Sequence, residues 1–126
     1  MKVKHMMIIK AIVCFVFGVG MLVVPAWLMG LYDMDLGEAG VYMTRLLGAS
    51  FLLLTVVLGL ASQAGPSEAR RAIAIGVIAG DLIGFVVALI GQISGAANAL
   101  GWLTVALYLL LALGFAYAQF VTDPSD

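Results

Sequence analysis

Charged side chains are scarce in this sequence: they make up 10% of its 126 residues, against about 25% in a typical soluble domain. With 64% of the chain hydrophobic, too few polar groups are present to build a wetted surface, which excludes a conventional water-soluble fold. The single cysteine, Cys14, excludes an intrachain disulfide, and its apolar surroundings suit a small buried hydrophobe. The single histidine, His5, leaves no Cys/His set with metal-ligand spacing. No Ser/His/Asp group and no phosphate-binding loop are recognisable either, so enzymology of the soluble type is not expected. A net charge of −1 gives no reason to expect a nucleic-acid partner.

What the chain has in quantity is long apolar runs. Ala11 to Tyr32 and Ala99 to Val121 contain no charge, Ala39 to Ala61 contains only Arg45, and Ala72 to Gly91 contains only Asp81. About 20 helical residues at roughly 1.5 Å rise cross a hydrocarbon core of about 30 Å. In lipid every backbone N–H and C=O needs an internal partner, which leaves helices or closed barrels, and the alternation of barrel strands is absent. The expected fold is therefore all-α: an integral membrane up-down four-helix bundle, one domain over residues 1–126, with spans at about 8–24, 38–62, 68–91 and 98–121. Lys2, Lys4 and Lys10 give the first segment a basic start. The apolar run after them is too long for a removed signal, and no A-x-A-like site closes it.

The breaks carry stop and start chemistry. Pro25 should end or kink the first helix, leaving "PAWLMGLY" (Pro25 to Tyr32) as a short interfacial helix. "DLGE" (Asp35 to Glu38) has capping-box spacing for helix two. In "GPSEARR", Ser67 is the expected cap of helix three, and Asn98 that of helix four. The short turns make neighbouring helices antiparallel. Basic residues mark the N-terminus and the second connection (Arg70, Arg71), whereas the first connection holds only acids, Asp33, Asp35 and Glu38. Lys and Arg favour the cytoplasmic side, so both termini should be cytoplasmic. Trp27, Tyr32, Tyr42 and Trp102 then fall near the outer interface, as aromatic anchors.

Lipid tails are as apolar as Leu, so helices associate in them by close approach over small residues. Gly76, Gly80 and Gly84 form a stripe at spacing four, and Gly48 offers a matching site on helix two. The two intramembrane charges demand company, because a carboxylate at the bilayer centre costs roughly 2.5–3.5 kcal/mol on insertion scales. Asp81 is central in its segment. Arg45 stands about five residues off centre, or roughly 7–8 Å. Side chains lean toward the helix N-terminus, which carries these two apart and argues against a direct bidentate pair. Tyr108 and Thr104 of helix four are nearly level with them. A buried polar layer of Arg45, Asp81, Tyr108 and Thr104 is expected, either as a structural clasp or as a binding or proton-linked site. Capping and solvation account for the acids of the first connection.

Four spans in a chain of this length, with "RLLGA" (Arg45 to Ala49) and "GDLIGFVVALIGQISG" (Gly80 to Gly95), resemble the DoxX-like group of small bacterial four-helix membrane proteins. The resemblance implies a multi-pass protein of the bacterial cytoplasmic (inner) membrane that partners redox complexes, some of them quinone-linked, with Arg45 and Asp81 important. Small multidrug transporters fit less well, because helix one lacks their membrane-embedded glutamate. Two functions follow as expectations. One is an accessory or scaffold subunit, embedded in the lipid bilayer and packed against other membrane subunits or a second copy. The other is a small transporter or lipophilic-ligand carrier using the Arg/Asp layer.

Overall fold

The computed structural model describes residues 2–122, and the acidic tail from Asp123 lies outside them. The described residues form five α-helices: α1 (Val3–Val23), α2 (Pro25–Gly30), α3 (Gly37–Ser62), α4 (Glu68–Ile93) and α5 (Gly101–Tyr117), followed by a π-helical turn (Ala118–Thr122). Four stretches are long and apolar enough to cross a membrane: Val3–Val23, Gly37–Ser62, Glu68–Ile93 and Gly101–Val121.

Local chemistry accounts for most boundaries. Pro25 opens α2 at its first position, and Val24 leaves helical geometry at φ −132° and ψ 57°, so the short helix follows the proline as its missing donor and fixed φ require. The Ser67 hydroxyl accepts the Arg70 N–H at 3.1 Å, and Glu68 occupies the first turn of α4. The capping box at Asp35 does not form. Gly37 adopts a left-handed φ of 64° and α3 begins there, so Leu36 takes the cap position without a side-chain bond and Asp35 falls one residue too early. Asn98 also precedes its helix rather than capping it, because α5 starts at Gly101. Its Oδ1 accepts the Leu100 N–H at 3.0 Å and its carbonyl accepts the Gly101 N–H at 2.9 Å, which shapes the turn into α5. The first span starts at Val3, earlier than expected, because the apolar face of α1 continues through Met7, Met6 and Val3.

That face sets the packing. Val3, Met7, Lys10, Cys14, Gly18 and Met21 are buried at spacings of three and four, one stripe of the helix. It lies along α3, while α4 lies along α5. A β-carbon at Gly48 would stand 2.9 Å from the Gly18 carbonyl oxygen and 3.0 Å from Met21 Cβ, so the α1–α3 crossing depends on both glycines. Thr55 Oγ1 adds a hydrogen bond to the Ala11 carbonyl at 3.2 Å. In the other pair Gly84 seats the Tyr108 ring, which a β-carbon would overlap.

The two antiparallel pairs meet mainly at the end that carries α1's start. There Val3, Met7, Leu58, Ala74 and Phe115 are fully buried in one apolar cluster. At the opposite end the first and third connections are tied: the Asn98 N–H donates to the Tyr32 carbonyl at 3.1 Å and Asn98 Nδ2 to the Leu31 carbonyl at 2.9 Å. Between these ends α3 and α4 scarcely touch. Gly76 and Gly80 therefore have nothing within 4 Å of where a β-carbon would be, and the stripe divides into one packing glycine and two open ones.

This division predicts opposite outcomes for substitutions of one residue type. Gly48→Leu forces the α1–α3 crossing apart and should cost about 1–3 kcal/mol, the usual penalty of overpacking. Gly76→Ala meets no atom and should be neutral or stabilising by up to about 1 kcal/mol through helix propensity. Unfolding in mixed micelles followed by tryptophan fluorescence measures both, and equal effects at the two sites would contradict this packing.

Candidate functional site

The gap between the helix pairs is a chamber of about 540 Å³, within the roughly 300–1,000 Å³ of small-molecule sites. Every long helix contributes to its wall: Cys14 and Phe17 from α1, Phe51 and Leu54 from α3, Gly76, Gly80 and Asp81 from α4, Thr104, Leu107 and Tyr108 from α5. Met29 and Tyr32 close it from the side of α2 and the first connection. The wall is apolar apart from the Tyr108 hydroxyl and two further places.

The first is an ion pair between Lys10 of α1 and Asp81 of α4, with Nζ 2.6 Å from Oδ1. Lys10 is 6% exposed and Asp81 2%. Asp81 Oδ2 is also buried and has no hydrogen-bond partner among the described residues. The second is the Tyr32 hydroxyl, which accepts a hydrogen bond from Thr104 Oγ1 at 3.2 Å. Tyr32 is thus buried rather than held at the surface as an anchor. The bonds that tie Leu31 and Tyr32 to Asn98 turn this ring inward. Trp27, Tyr42 and Trp102 are exposed, Trp27 by 65%.

Of the four residues expected in a polar layer, the structure brings Asp81, Tyr108 and Thr104 to the wall of one chamber. Arg45 does not join them. It is exposed in a shallow groove with Asp35, Glu38 and Tyr42, because α3 turns Thr44 and Gly48 inward and Arg45 away from them. The cation that meets Asp81 is Lys10, assigned from sequence to the basic N-terminal arm. The signal for it is periodicity: Lys10 shares a helical face with Met7, Cys14 and Met21, and a lysine on an apolar face needs an anion. His5 is exposed. Among the described residues no three His, Cys, Asp or Glu side chains gather in a way that could hold a metal ion.

A family model described as "Domain of unknown function (DUF8292)" matches residues 1–119. The chain belongs to that family. No curated protein and no solved structure matches it. The matched stretch of this DUF8292 chain contains every residue of the chamber wall, so the ion pair and the chamber lie within the family's domain.

Chemically, the arrangement offers a greasy compartment with a donor–acceptor pair in its wall. Removing one partner strands the other charge in apolar surroundings. Lys10→Met or Asp81→Leu alone should therefore cost about 3–5 kcal/mol, the usual penalty for breaking a buried pair, while K10M/D81L together should return close to wild-type stability. Arg45→Gln should stay within about 0.5 kcal/mol, as exposed substitutions do. Thermal unfolding in detergent measures all four, and a large loss at Arg45 with none at Lys10 would reverse the assignment.

Proposed function

We propose that this protein holds a lipophilic molecule inside the membrane, as a small binding protein or carrier. The observation that carries the reading is the chamber itself: an apolar compartment of ligand size whose wall includes a buried ion pair. A bundle needing only mechanical stability gains nothing from keeping this volume unfilled, because dispersion contacts are lost around any void. The α3–α4 gap, with Gly76 and Gly80 beside it, provides a lateral route from the acyl chains, so the molecule need not cross water.

The same proposal places the protein in the bacterial cytoplasmic membrane with both termini on the cytoplasmic side. Lys10 is engaged by Asp81 and no longer counts as a topogenic charge. Lys2 and Lys4 at the start of the chain, and Arg70 and Arg71 after α3, still share one end, opposite Asp33, Asp35 and Glu38.

A second reading is an accessory or scaffold subunit whose open α3–α4 side receives a helix of a larger membrane assembly. The poor contact between α3 and α4 favours it. So does the resemblance of Arg45 to Ala49 and Gly80 to Gly95 to DoxX-like proteins, which implies redox or quinone-linked partners.

Gentle extraction followed by native mass spectrometry tests the proposal. A chamber protein should carry one non-protein molecule per chain, and Gly80→Phe, which fills the chamber, should lose it. If wild type and Gly80→Phe emerge with the same bound species, or both emerge bare, the chamber reading fails. A protein partner retained at fixed stoichiometry would transfer support to the accessory role.

A further inference from the structure

We propose that the chamber recognises its occupant by a hydroxyl group docked on the Lys10–Asp81 pair; this rests on the chamber binding a lipophile at all. Asp81 Oδ1 accepts a hydrogen bond from the Lys10 ammonium at 2.6 Å, whereas Oδ2 is buried with no donor among the described residues. A carboxylate presents about four lone-pair sites and an ammonium three N–H donors. An unmet acceptor therefore stands beside a cation with hydrogens to spare, in a wall that is otherwise apolar except for Tyr32, Thr104 and Tyr108, and the Tyr108 hydroxyl does not donate to Asp81 Oδ2. Buried polar groups find partners, and no group among the described residues supplies one to Oδ2, so the donor comes with the occupant.

Complementarity selects the group. A hydroxyl donates its proton to Asp81 and accepts one of the Lys10 N–H bonds with its lone pair, satisfying both members at once. An ether or ketone only accepts, and leaves Asp81 unmet. An ammonium brings a second cation against Lys10, and a carboxylate meets Asp81 with like charge. Pure hydrocarbon offers nothing to either. The remaining wall, Phe17, Phe51, Leu54 and Leu107, suits a hydrocarbon tail, and Gly76 and Gly80 leave unfilled the space that side chains would occupy. The ligand class is a lipophilic alcohol: one hydroxyl on a long or branched hydrocarbon body.

The test uses the full chain in phosphatidylcholine nanodiscs, titrated with farnesol or with farnesyl methyl ether, and counts bound probe by native mass spectrometry against empty discs. Farnesol should bind at least ~10-fold more tightly than the ether, the factor expected of a hydrogen bond to a charged group. In K10M/D81L the two probes should bind alike, at the level of the ether in wild type. Equal binding of the two probes to the wild-type protein overturns the hydroxyl assignment and leaves the chamber intact as a lipophile site; this comparison needs no variant to fold. Failure of both probes to bind, with Gly80→Phe indistinguishable from wild type, removes the chamber reading and this inference with it.

Discussion

A lysine and an aspartate set among apolar side chains each cost about 2.5–3.5 kcal/mol near the centre of a bilayer, and neither is stable there alone. Lys10 and Asp81 resolve this by meeting at 2.6 Å, and the meeting links helices that otherwise belong to different units. Lys10 rides on α1, which is packed along α3, and Asp81 on α4, which is packed along α5. Hydrophobic burial does not drive one such pair onto the other in lipid, since the tails solvate apolar surface equally well. The ion pair is a directional tie between the two halves, added to the apolar cluster and the Asn98 bonds that join them at their ends.

The chamber follows from where the other ties lie. The fully buried cluster around Val3, Leu58, Ala74 and Phe115 closes one end, while the bonds of Asn98 to Leu31 and Tyr32 fasten the connections at the other. Within each half, glycines allow the close approach: Gly18 with Gly48, and Gly84 under Tyr108. Between the halves no such fit exists along α3 and α4. Two well-made hairpins fastened at their ends and by one ion pair leave space in the middle, and the ion pair borders that space.

Much of the architecture is legible in the sequence because lipid permits few solutions. Four runs near 20 residues could only be helices, and Pro25 and Ser67 mark boundaries by local chemistry that no tertiary contact overrides. The start of α3 is different: Gly37 takes a left-handed turn that moves the helix past Asp35, and spacing alone does not reveal a backbone sign. The site is half legible. Asp81, Tyr108 and Thr104 follow from depth along their helices, which is a one-dimensional property. Which cation faces Asp81 is a matter of rotation about the helix axis. Arg45 stands some way off the level of Asp81 and points away from the buried face of α3, whereas Lys10 has suitable rotation and sits at the edge of its apolar run. Its charge resembles that of the basic flank that orients a membrane protein, and only the 3–4 spacing of Met7, Lys10, Cys14 and Met21 distinguishes the two roles. Gly76 and Gly80 show the converse: a stripe that reads as a packing face borders open space instead, because the facing helix stands off.

The central physical claim is the direct contact of Lys10 with Asp81, and distance measurement by magic-angle-spinning NMR in phospholipid bilayers addresses it without any substitution. With ¹⁵N on lysine side chains and ¹³C on aspartate carboxyls, rotational-echo dephasing should report one Nζ–Cγ contact at hydrogen-bonded range, matching the 2.6 Å Nζ–Oδ1 separation. An Asp81 carboxyl undisturbed by lysine nitrogen, or one dephased instead by labelled arginine, would contradict it.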